Sequence, residues 1–449
     1  MRPALAAAPS GIRRFRVPAL ARGGFSYLVG EALSKGVTFV VLIALTRFVS
    51  QESFAYINLY VSYANICALV VGLGLQNAIV RFYFKDVRFS GVLGAAVSTI
   101  VVVGGTVFAL AFVLQEVISP ALAVPPILIP LAALGGIVIA LRTCFIASLR
   151  ACRRAGMYAF AEIAEATVGT LLIALIVVLH AAGYVSVVGA LAVGTASVVG
   201  FAFYDWLRGP GLTLDRAIFR PILIFSVPLI LHGLALYLLQ SYGQIAVNAQ
   251  LGPLQAATYA YSARFAMAMV VVSTAFSAAW MPAFLESVRT PEGRGELRGR
   301  ALGYTMFMAV AGVSLMVVLP IVAHVLAGPA YASAVRLIPI LVYSYLWFVL
   351  YTLVLGYHMH DQRTAAVATV TLVSMLVGVA LVHICIALLG IAGGAVASVA
   401  GYAALFFGQW GLLGFARRDA GWDIPYLKLC LMMVGIGVVP VAMWFVLPS

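Results

Sequence analysis

Charge is what this sequence has least of. Charged residues fill 9% of its 449 positions and apolar residues 64%. No water-soluble chain of this length could cover its surface with so little charge. A soluble enzyme or binding module is excluded, and a polytopic membrane protein remains. The formal net charge of +13 does not point to nucleic acid, because the basic residues are scattered through short loops between apolar runs. The five cysteines, Cys67, Cys144, Cys152, Cys385 and Cys430, contain no CxxC pair, so neither a disulfide framework nor a metal site is expected. The six histidines lack HExxH spacing, and His358 with His360 reads as a solvated loop pair. No cofactor is expected. Residues 1–22 hold Arg2, Arg13, Arg14, Arg16 and Arg22 but no apolar h-region, so they read as a basic tail and not as a removable signal peptide. Loops are short as well, leaving no room for a soluble catalytic domain or a P-loop with its strand and helix. A non-enzyme is expected, driven by an ion gradient, a substrate gradient or a partner.

What the sequence does have is a succession of apolar runs, most of them reaching the ~20 residues that cross a ~30 Å hydrocarbon layer. They run Gly24–Val49, Phe54–Val80, Gly91–Leu114, Pro126–Ser148, Tyr158–His180 and Tyr184–Phe203. After a polar connector come Pro221–Ala246, Ala256–Leu285, Ala301–Leu326, Val335–Tyr357, Thr364–Leu388, Gly393–Phe415 and Leu427–Leu447. The expected fold is an all-α polytopic membrane helix bundle of about 12–14 transmembrane helices. Its parts are a basic tail (1–22), a six-helix lobe (23–203), a cytoplasmic connector (204–220), a second six-helix lobe (221–415) and a loop with one extra helix (416–449). Both halves begin on the same side, so any repeat is parallel, with a pseudo-two-fold along the membrane normal. Alternate loops carry the arginines (Arg81 and Arg88; Arg150, Arg153 and Arg154; Arg208, Arg216 and Arg220), whereas Ser50–Ser53, Gln115–Pro125 and Leu251–Gln255 carry no Lys or Arg. The positive-inside rule therefore places the N-terminus and the basic loops in the cytoplasm. A thirteenth span would leave the C-terminus outside; Pro440 within it allows an interfacial helix instead.

Several runs keep polar residues that are expensive in lipid. In the first, Tyr27, Glu31, Ser34, Lys35 and Thr38 share a third of the circumference, with Lys35 about 15 Å deep. Glu31 and Lys35 stand i,i+4, where they can simply neutralise each other or present a cation to a cavity. In the second, Asn58, Ser62, Asn65, Gly72 and Gln76 form one stripe along the helix, better suited to a cavity wall than to interhelical glue. The seventh repeats the design with Tyr237, Gln240, Ser241, Gln244 and Asn248, and His232 lies deeper. Arg264 in the eighth sits ~12 Å below the outer end, where it either snorkels or supplies a second cation. Glu162 and Glu165, i,i+3 near the start of the fifth run, either pair with Arg142, Arg150, Arg153 and Arg154 or carry a coupling proton.

Residues 25–83, above all Val71-Gly72-Leu73-Gly74-Leu75-Gln76-Asn77-Ala78-Ile79-Val80 with Arg81-Phe82-Tyr83, resemble the opening two helices of the polysaccharide transporter family. These are the O-antigen and exopolysaccharide flippases of the multidrug/oligosaccharidyl-lipid/polysaccharide export superfamily. The resemblance implies a V-shaped pair of six-helix lobes, with spans one, two, seven and eight around a central cavity. It also implies a substrate, an undecaprenyl-pyrophosphate-linked oligosaccharide flipped to the outer leaflet of the bacterial inner membrane. Membrane lipid and a polysaccharide polymerase are the implied partners. On that reading Lys35 and Arg264 attract pyrophosphate, Arg81 belongs to the family's aromatic-flanked motif, and Asn58, Ser62, Asn65, Gln76, Gln240, Gln244 and Asn248 solvate sugar hydroxyls. Glu31, Glu162 and Glu165 are the candidates for coupling. Within the superfamily the alternatives are a cation-coupled multidrug exporter or a lipid II flippase. From another class, a membrane polysaccharide polymerase or ligase would need a sizeable outer loop.

Overall fold

Lipid offers a backbone no hydrogen bonds, so apolar runs of this length satisfy their own N–H and C=O groups as helices. The computed structural model describes residue 34 and residues 36–85, 87–288, 291–326, 329–361, 363–416 and 424–447. Its helices in the first half are α1 (Gly36–Leu45), α2 (Gln51–Gly72), α3 (Leu75–Tyr83), α4 (Phe89–Leu122), α5 (Leu128–Ala151), α6 (Ala155–Val178) and α7 (Tyr184–Arg208). In the second half they are α8 (Arg216–Leu251), α9 (Pro253–Ser287), α10 (Pro291–Leu326), α11 (Leu337–His360), α12 (Thr364–Leu389) and α13 (Ile391–Ala416), followed by α14 (Tyr426–Ile436) and α15 (Val438–Val446). Among the described residues ten helices are long and apolar enough to span a membrane, and eleven if Arg216–Val227 and Leu229–Leu251, bent by 40°, count as one. The chain is an all-α, multi-pass membrane bundle.

Breaks fall where turn chemistry demands them. Ser50 caps α2, its hydroxyl accepting from Ser53 N–H at 3.1 Å. Gly252 at φ 86 followed by Pro253 turns α8 into α9. The second apolar run is one stretch in the sequence, yet the structure divides it. Leu73 (φ 46) and Gly74 (φ 70) are both left-handed, and α3 starts anew behind them. Gly74 is doubly required, since a Cβ there would also stand 2.8 Å from the Ser226 carbonyl oxygen. The polar stripe is therefore split, with Asn58, Ser62 and Asn65 on α2 and Gln76 on α3.

Close packing builds the walls. α2 crosses α5 at Gly135 and Gly136, where a Cβ would collide with the Tyr60 hydroxyl and the Cys67 Cβ respectively. One apolar core joins both halves through α2, α9 and α11, and a second fills the basic-loop end of the first half around Phe145, Tyr158 and Trp206. The final run, Tyr426–Val446, is long and apolar enough to span even though Gly437 interrupts it. Its far end is tied down away from the basic loops: Arg336 Nε donates to the Leu447 carbonyl at 2.9 Å and its guanidinium lies 5.7 Å from the Trp444 ring.

Candidate functional site

A cavity of about 820 Å³ opens between the halves, walled by α1, α2, α5, α6 and α7 on one side and by α9 and α10 on the other. It extends from Arg264 and Tyr60 at mid-helix towards Gln76, Arg150 and Tyr158 at the basic-loop end. The opposite end is shut by contacts between the halves. Gln51 Nε2 donates to the Ala330 carbonyl at 2.5 Å, and Phe54 meets Tyr331 edge-on at 5.6 Å. Tyr331 stacks in turn on Tyr261 at 4.9 Å. Asn248 Nδ2 donates to the carbonyls of Leu122 and Ala123 at 2.8 and 2.9 Å, gripping the α4–α5 turn.

Most of the wall is apolar, and its polar groups fall into two clusters. In the first, Arg264 Nε donates to Asn58 Oδ1 at 2.9 Å, from α9 to α2. No carboxylate among the described residues pairs with Arg264. Its neighbours are phenols: Tyr237, whose hydroxyl is flanked by Ser62, Asn65 and Ser241, and Tyr345, which meets Gln240. A guanidinium held by one amide keeps most of its donors for something else. In the second cluster, Arg142 on α5 reaches both acids of α6. Its Nη2 donates to Glu162 Oε1 at 2.8 Å and its Nε donates to Glu165 Oε2, while Thr195 on α7 donates to Glu165 Oε1 at 2.9 Å. The Glu162/Glu165 pair thus meets Arg142, and Arg154 is committed elsewhere. Its two terminal nitrogens clasp Asp205 at 2.7 and 2.9 Å, which holds its guanidinium above the usual arginine range.

The structure brings together only part of the set read from the sequence. Asn65, Gln76, Glu162, Glu165 and Arg264 line the cavity. Asn58 and Ser62 stand behind the wall, buried, one holding Arg264 and the other facing Tyr237. Gln240 reaches Tyr345, Gln244 is buried with no partner for its amide nitrogen among the described residues, and Asn248 grips the α4–α5 turn. Arg81 is exposed at the basic-loop end, 4.1 Å over the Phe225 ring. Glu31 and Lys35 lie outside the described residues. Sequence reading did not single out Tyr345 or Thr195, which reach the clusters from α11 and α7. Neither interrupts an apolar run as a charge does, so no signal pointed to them.

Residues 20–288 match the family model described as polysaccharide biosynthesis protein. No curated protein matches the chain at a significant level. Among solved structures, an inward-facing multidrug resistance MATE family transporter of the MOP superfamily superposes with a TM-score of 0.71 at 16% identity, covering 88% of this chain and 96% of that one. A ligand complex of the MATE multidrug transporter DinF-BH gives 0.63 at 17%, covering 90% and 96%. A MATE structure in the bent conformation gives 0.57 at 16%, covering 93% and 96%. At these identities what is shared is the fold.

Proposed function

Because the chain belongs to the polysaccharide biosynthesis protein family, whose fold here is that of export transporters and not of enzymes, we propose that it is an alternating-access flippase. It carries a pyrophosphate-linked oligosaccharide on an undecaprenyl lipid from the cytoplasmic to the outer leaflet of the bacterial inner membrane. The two six-helix lobes, 23–203 and 221–415, rock about the cavity, with the N-terminus and the basic loops cytoplasmic. The observation that carries this reading is Arg264, a half-buried guanidinium on the cavity wall without a carboxylate partner among the described residues. A charge withdrawn from water needs a counter-charge, and a pyrophosphate supplies one with fork geometry to match. The amides of Asn65 and Gln76 on the cavity wall suit sugar hydroxyls. Lys35 adds a second cation; Lys35→Ala abolishes flipping at normal protein levels. Glu162 and Glu165 couple the cycle to protons, Arg142 being released when they are neutralised.

A second reading, export of lipophilic cations, draws on the largely apolar wall and on the paired carboxylates of α6, as well as on the structural likeness. Deletion in the native cell separates the two. The flippase reading requires lipid-linked oligosaccharide to accumulate on the cytoplasmic face, whereas unchanged surface polysaccharide with new dye sensitivity supports the exporter.

A further inference from the structure

We propose that Asn58 is a positioning residue that makes anion affinity at Arg264 depend on which end of the transporter is open; this rests on the reading of Arg264 as the anion anchor. The Asn58 amide cannot turn freely. Its Nδ2 donates to the Phe54 carbonyl at 2.8 Å within α2, so Oδ1 is the atom presented to Arg264 Nε at 2.9 Å. Asn58 itself is 1% exposed, so the arrangement is fixed by packing. A guanidinium has five N–H donors, and pinning Nε leaves the four on the terminal nitrogens. Arg264 lines the cavity, so a phosphate there meets a fork already aimed. An arginine without that anchor loses more rotamer freedom on binding.

The two residues sit on opposite halves, Asn58 on α2 and Arg264 on α9. They stand on the cavity side of the closed end marked by the Gln51–Ala330 and Asn248–Leu122 contacts, Asn58 about two turns along α2 from Gln51. Opening that end draws α2 away from α9 and takes Asn58 from Arg264. The anion is then held tightly while the cavity communicates with the basic-loop end and weakly once the other end opens, which is where cargo must leave. Linkage is reciprocal: whatever factor closure adds to anion affinity, the anion adds to closure. Cargo without a phosphate feels none of this.

The test uses the full chain in lipid nanodiscs, with farnesyl pyrophosphate as probe and farnesol as its uncharged control. Asn58→Ala weakens farnesyl pyrophosphate by roughly ten- to a hundredfold, the range of a hydrogen bond to a charged group, and leaves farnesol binding unchanged. Asn58→Asp keeps the shape but hands Arg264 its own carboxylate, and farnesyl pyrophosphate binding is lost. Spin labels at the exposed Ala121 and Ala249, with the native cysteines replaced by serine, move closer on average when the probe binds. Wild-type affinity in both Asn58 variants, or a label pair driven apart by the probe, overturns the proposal. Should Arg264→Gln also bind at wild-type affinity, the anchor reading itself is lost. Loss in Arg264→Gln with wild-type binding in both Asn58 variants removes only the switch.

Discussion

Arg142 and Arg264 look alike in the sequence, each a lone arginine inside an apolar run, and the fold gives them opposite surroundings. Arg142 meets Glu162 and Glu165, whereas Arg264 meets one amide and two phenols. Removing Arg142 takes the guanidinium from both acids of α6, beside a largely apolar wall, with Thr195 still donating to Glu165. Arg142→Leu is therefore expected to cost about 3–5 kcal/mol, the cost of stranding a buried charge, read as a lower melting midpoint in detergent. Arg264→Gln goes the other way: it removes a charge that has no carboxylate partner among the described residues, so the melting midpoint holds or rises while pyrophosphate-dependent transport falls at least roughly tenfold. Equal transport in Arg264→Gln and wild type would refute the anchor. The sequence marked these positions because ionisable groups stand out in an apolar run. It could not say which arginine was neutralised, since Arg142 and Glu165 are brought together by the packing of α5 on α6.

Among the elements, the apolar periodicity made nearly every helix legible and concealed how two of them are interrupted. Nothing in Val71-Gly72-Leu73-Gly74-Leu75 distinguishes a flexible glycine pair from the left-handed Leu73–Gly74 break that the Ser226 carbonyl demands. Gly74→Ala meets both the left-handed penalty of ~1–2 kcal/mol and that carbonyl, so a lower melting midpoint and reduced transport are expected; a neutral Gly74→Ala would mean that the break is dispensable. The amide stripe of α8 was also only half legible. An amide at the end of a helix solvates cargo or holds a neighbouring turn, and only the neighbour decides; for Asn248 the neighbour is the α4–α5 turn. Asn248→Ala removes both of those bonds, and a cysteine at Ala121 in a background otherwise free of cysteine is expected to react several-fold faster with a membrane-impermeant maleimide, each lost bond being worth about 1 kcal/mol. An unchanged rate would show that closure does not depend on this contact.

At the scale of the whole molecule, a cavity between two helical halves, reaching towards the basic loops and closed at the other end by contacts between the halves, is an arrangement an alternating-access transporter passes through before cargo crosses. Composition announced the membrane, but the stripes announced the cavity only in part: Asn65 and Gln76 of the second run and Arg264 of the eighth line it, whereas none of the seventh-run amides does, Gln240 reaching Tyr345 and Asn248 the α4–α5 turn. The identity of the cargo was not legible, because a fold shared with multidrug transporters does not fix what a member of this family carries. The account stands on Arg264 as an anion anchor in a lipid flippase. The direct test is reconstitution of the purified full chain in proteoliposomes, following a fluorescent polyprenyl-pyrophosphate oligosaccharide and, in parallel, a cationic rhodamine dye. Flipping of the pyrophosphate lipid that Arg264→Gln abolishes, with no dye accumulation, is the predicted result; dye transport without lipid flipping, unaffected by Arg264→Gln, would contradict it.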